Sequence, residues 1–65
     1  MRAFIVDRHG EGRTFSGVTV VIKNGVLLVA DPQVGIHGFS LEGLIFRLEA
    51  ESEEDALLLE QVMLI

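Results

Sequence analysis

The chain contains no cysteine. Disulfides and thiolate-bound metals are therefore excluded. It has no Trp or Tyr and a single Pro. Basic residues are scarce: five Lys or Arg stand against ten Asp or Glu, for a formal net charge of −5. A phosphate backbone needs a basic face, so nucleic acid is not an expected partner, and anionic membrane surfaces are disfavoured for the same reason. Long apolar runs are missing too. The opening "MRAFIVDRHG" has neither the apolar core nor the cleavage site of a signal peptide, and no stretch reaches bilayer-spanning length. The expectation is a cytoplasmic protein with no membrane attachment and no cofactor.

What is present points to one small folded domain over residues 1–65, 49% hydrophobic and 23% charged. Domains of this size are marginally stable alone and usually rely on disulfides, a metal or oligomerisation. With cysteine absent, oligomerisation or a metal held without thiolates is the support left open.

"RAFIV" reads as a first strand, ended by the glycine-containing loop "DRHGEGR". "TFSGVTVVIKNGVLLVADP" reads as a hairpin, because Asn24-Gly25 is the preferred pair for a two-residue type I′ turn. Setting Lys23 opposite Val26 places Ile22 by Leu27 and Val20 by Val29 on one face. Val21 by Leu28 and Thr19 by Ala30 fall on the other, and both faces are largely apolar. Asp31-Pro32 ends the second strand. A short strand fits around Ile36 to Phe39. "LIFRLEAE" alternates as a half-buried strand, with Leu44, Phe46, Leu48 and Ala50 on its inner side.

Ser52 followed by Glu53, Glu54 and Asp55 is a helix start: the hydroxyl caps a free N–H, and the acids suit the positive end of the dipole. The same acidic run, with Glu49 and Glu51, could attract a basic protein surface. At about 100° per residue, Ala56, Leu58, Leu59, Val62, Met63 and Ile65 fill one arc that faces the sheet. Leu57 and Leu64 form a second stripe within the polar side. The expected fold is α+β: an antiparallel β-meander of four to five short strands with one C-terminal helix. A small, partly closed β-barrel with a terminal helix is the alternative.

One helix covers one sheet face. Val21, Val26 and Leu28, with the Leu57/Leu64 stripe, are left without a partner in the chain. Each buried Leu or Val side chain contributes about 1.5–3 kcal/mol, so a homo-oligomer, a dimer or higher, is expected at these five residues.

Chemistry is sparse. In an extended chain Asp7, His9 and Glu11 would share a side and, with His37, offer ligands to a metal. A turn would scatter them, so no metal is assigned. Gly10 and Gly12 allow the loop amides to form an anion nest, with Arg8, His9, Arg13 and His37 around it. Ser16 and Ser40 have no base beside them in sequence, and His37 lies three residues before Ser40 without an orienting third group. The four phenylalanines, Phe4, Phe15, Phe39 and Phe46, fit a core.

The function these residues suggest is a small acidic homo-oligomeric binding, adaptor or inhibitory accessory protein, a viral accessory factor among them, acting through protein–protein contact. One alternative is a small-ligand binder holding an anionic metabolite or nucleotide at an intersubunit site. Another is a minimal metal-dependent enzyme using Asp7, His9, Glu11 and His37. No catalytic residue is assigned.

Overall fold

A computed structural model describes residues 1–63, with side chains as far as Gln61. Six strands and one helix follow in order: β1 (Arg2–Val6), β2 (Gly12–Phe15), β3 (Thr19–Lys23), β4 (Val26–Asp31), β5 (Gly35–Ser40), β6 (Ile45–Glu49) and α1 (Glu53–Met63). Two antiparallel three-stranded sheets form, in the orders β2-β1-β6 and β3-β4-β5. The fold is α+β, with the expected meander in β3-β4-β5. It is not a closed barrel.

The β3–β4 hairpin has the register that the Asn-Gly turn dictates, from Lys23 opposite Val26 to Thr19 opposite Ala30. Asn24 and Gly25 both take positive φ, 52° and 74°, as a type I′ turn requires. The expected strand count is corrected from four or five to six. β2 was hidden because its sequence, GRTF, is short and half polar. It pairs with β1 from Ala3 opposite Phe15 to Val6 opposite Gly12. The order is also not wholly a meander, because β6 returns to the far side of β1, with Ala3 opposite Leu48 and Ile5 opposite Phe46.

The core lies between the sheets. Ala3 and Ile5 of β1 meet Val20 of β3 and Leu27 and Val29 of β4, with Met1 and Val18 closing one end. Phe15, Phe39, Phe46 and Leu48 pack around them. Phe15 meets Phe39 edge-on, with ring centroids 6.1 Å apart. Among the described residues the helix does not cover a sheet face as its apolar arc suggested. The second sheet does, and among the described helix side chains only Leu58 and Leu59 pack against the core. Ala56 and Ala50, expected to face inward, are exposed. Val62, Met63 and Ile65 of that arc, and Leu64 of the second stripe, lie outside the described side chains.

Candidate functional site

Three places gather polar or unpartnered groups. The first is the tip of the β1–β2 hairpin. Asp7 Oδ1 accepts the backbone N–H groups of His9 at 2.9 Å and Glu11 at 3.0 Å. The Gly10 N–H donates to the Asp7 carbonyl at 2.9 Å, and Gly10 takes φ 81°. This is a three-residue connection with glycine at the left-handed position, which explains the order Asp-Arg-His-Gly. The N–H of Glu11, then that of His9, holds the Asp7 carboxyl below its usual range, with help from the nearby charges of His9 and Arg13.

The turn bears on two expectations. Asp7, His9 and Glu11 do not line up as extended residues would. Among the described residues no group of three or more His, Asp or Glu is placed to hold a metal. The loop amides, read as an anion nest, are taken up by the chain's own Asp7 carboxylate. Arg8 and His9 instead line a shallow cleft of about 220 Å³ with Asp7, Phe39, Glu42 and Leu44. Gly43 brings the loop after β5 against Arg8, so close that a Cβ on it would lie 2.9 Å from the Arg8 Cβ.

The other candidates are dispersed. Gly12 pairs with Val6, and Arg13 stands opposite Ile5 on exposed β2. His37 is paired with Val29 on the inner side of β5, and its ring centroid lies 5.1 Å from that of Phe15. Ser40 sits on the opposite side of the same strand, because the two are three positions apart. Its Oγ accepts the Glu42 N–H at 3.3 Å. His37 and Ser40 therefore form no nucleophile–base pair.

The second place is the outer face of the β3-β4-β5 sheet. Its cross-strand rows are Thr19–Ala30–Ile36, Val21–Leu28–Gly38 and Lys23–Val26–Ser40. Val21 is 47% exposed and Ile36 74%, while Val26, Leu28 and Ala30 are half-buried. Beside this shelf Val34 is 73% exposed. The outer face of the other sheet is different. There the Arg47 guanidinium lies 4.4 Å over the Phe4 ring and pairs with Glu49 at 3.5 Å. On the helix, Leu57 is 62% exposed.

The third place was not foreseen from sequence. The Met1 ammonium lies 3.1 Å from Glu51 Oε1 and 2.9 Å from Asp55 Oδ2. Glu51 Oε1 also accepts the Gly17 N–H at 3.2 Å, and Asp55 Oδ2 accepts the Glu51 N–H at 3.0 Å. Ser52 Oγ accepts the Asp55 N–H at 3.2 Å, capping the helix as expected. Burial works against the charged amine, but hydrogen bonds and charge from Asp55 and Glu51 outweigh it and raise its pKa. The ammonium in turn lowers both carboxyls, aided by the Gly17 N–H at Glu51 and the Glu51 N–H at Asp55. Part of the acidic run thus serves the chain's own first residue. Glu53, Glu54 and Glu60 remain exposed.

No protein-family model matches this chain, and no curated protein or solved structure matches it significantly. No helix among the described residues is long and apolar enough to cross a membrane.

Proposed function

We propose that this chain is a small acidic binding module that self-associates and acts through protein–protein contact. The observation that supports the reading is the outer face of the β3-β4-β5 sheet. Val21, Val26, Leu28 and Ile36 lie there on one surface, with Val34 at its margin and Lys23 on the same face opposite Val26. An exposed apolar face of adjoining side chains, rimmed by polar groups, is characteristic of association surfaces. Leu57 adds a second exposed apolar position on the helix. The exposed acids Glu53, Glu54 and Glu60 offer complementary charge to a basic partner. The test is light scattering on the wild type and on the Val21→Lys/Leu57→Lys variant at equal concentration. The variant is expected to form smaller assemblies while keeping its circular dichroism. Equal assembly size in both would remove these residues from the contact.

A second reading rests on the cleft beside Arg8 and His9. Its volume is below the roughly 300–1,000 Å³ of sites for drug-sized ligands. It suits a small anion such as phosphate rather than a nucleotide. Phosphate is expected to raise the melting temperature of the wild type, and Arg8→Ala to abolish the rise. A rise that survives Arg8→Ala would place the anion elsewhere.

A further inference from the structure

Four strands form the edges of the two sheets: β2 and β6 in the first, β3 and β5 in the second. An edge strand presents unpaired N–H and C=O groups to any other strand, and natural edges are commonly blunted by charged residues. β2 carries Arg13, β3 carries Lys23, and β6 carries Arg47 and Glu49. β5 reads GIHGFS and carries no Lys, Arg, Asp or Glu.

The direction of each backbone group on β5 follows from two fixed points. In a two-residue hairpin the flanking residues, here Lys23 and Val26, exchange hydrogen bonds. Alternate residues of β4 therefore turn theirs the other way, so Leu27, Val29 and Asp31 face Phe39, His37 and Gly35 of β5. From the other end, the Leu41 N–H donates to the Gly25 carbonyl at 3.0 Å, which sets the same phase. Ile36, Gly38 and Ser40 are left directing their N–H and C=O groups to the free edge.

We propose that β5 pairs antiparallel with β5 of a second copy across a twofold axis at Gly38, joining two three-stranded sheets into one continuous sheet. This rests on the self-association proposed above and specifies the edge that brings the copies together. Residues directly opposite each other in a sheet share a face. An axis at Gly38 meets that condition: Ile36 falls opposite Ser40 of the second copy, His37 opposite Phe39, and Gly38 opposite its own image. Every outward-directed residue of β5 then exchanges two bonds with the second copy. Moving the axis to His37 keeps the faces matched but sets Ser40 against Val34, which lies outside the strand.

The identical residues closest to the axis are glycines, so no side chains crowd there. Glu42 falls opposite Val34 of the second copy rather than its own image, which avoids a like-charge contact in a chain of net charge −5. The outer apolar shelves of the two copies, each with Val26, Leu28 and Ile36, become one surface.

Sedimentation equilibrium on the wild type and three variants, with amide hydrogen exchange on the wild type, tests the pairing. Gly38→Pro removes the outward N–H at an edge strand, where proline is tolerated. A Cβ at that position would meet Leu28 and Val26 at 3.6 Å, an ordinary contact. Ile36→Lys adds the missing charge, and Thr14→Lys changes an edge strand of the other sheet. Gly38→Pro and Ile36→Lys are expected to be monomeric while Thr14→Lys keeps a dimer. In the wild type the Ile36, Gly38 and Ser40 amides are expected to slow at least about tenfold on concentration, and those on the edges of β2 and β3 not to change. A wild type that associates with no change at these three amides overturns the edge pairing and leaves self-association standing, whether or not the variants fold. A wild type that stays monomeric overturns both.

Discussion

Asp55 Oδ2 lies 2.9 Å from the buried Met1 ammonium and 3.0 Å from the Glu51 N–H. One carboxylate thus fastens the start of β1 to the start of α1. Glu51 completes the clamp and adds the β2–β3 turn through Gly17. The arrangement makes fold stability depend on pH at two limits.

The ammonium pKa is raised in the folded chain. Its contribution is full below the unfolded value of about 8 and is lost as pH rises through the folded value. The Glu51 and Asp55 pKa values are lowered. Their contribution is full above the unfolded values of about 4 and is lost as pH falls through the folded ones. The melting temperature is therefore expected to be highest from about pH 5 to 8 and to fall on both sides. Thermal melts of the wild type and Asp55→Asn across this range check it. A variant with an unchanged alkaline limb would show that the carboxylate is not holding the amine.

Gly43→Ala is expected to destabilise the fold. Gly43 has φ 70°, and its new methyl group would meet the Arg8 Cβ at 2.9 Å. The neighbour is the root of the Arg8 side chain rather than its flexible end, so relief requires the two loops to part. A loss of about 1–3 kcal/mol is expected in urea unfolding. No loss would show that the loop after β5 does not rest on the hairpin tip.

Leu27→Ala and Ile36→Ala remove apolar groups from opposite faces of one sheet. Leu27 is fully buried between the sheets, while Ile36 is 74% exposed. The first is expected to cost about 2–5 kcal/mol and the second to fall within about 0.5 kcal/mol in dilute solution. Paired denaturant curves measure both. Equal losses would mean that the outer face is packed within the monomer.

The parts of this fold that were legible in the sequence are those fixed by local rules. Asn24-Gly25 set the β3–β4 register, and the alternation of "IFRLE" gave β6. Ser52 marked the helix start, and its hydroxyl caps Asp55. β2 escaped because four residues with one glycine and one arginine carry no alternation to read. The second sheet escaped because it depends on β6 returning across the whole chain to β1, a pairing that no short pattern encodes. That return puts β1, rather than the described part of the helix, on the inner face of β4's sheet.

The candidate site was legible only in part. Arg8 and His9 border a cleft, but its other wall comes from Phe39, Glu42 and Leu44, far along the chain. His37 was grouped with that loop by residue type, whereas strand alternation turns it inward onto Phe15. The ammonium clamp had no side-chain pattern at all, since its cation is the backbone amine of Met1. The apolar outer face was legible, because two strands of fixed register display Val21, Val26 and Leu28 together.

The claim beneath all of this is that one copy leaves usable apolar surface in water. Sedimentation equilibrium of the wild type, followed from micromolar to about millimolar concentration, tests it most directly, since a dissociation constant of 1 mM still corresponds to about 4 kcal/mol of association. The expected result is a mass that climbs above the 7.1 kDa of a single chain. A mass fixed at 7.1 kDa throughout would contradict it.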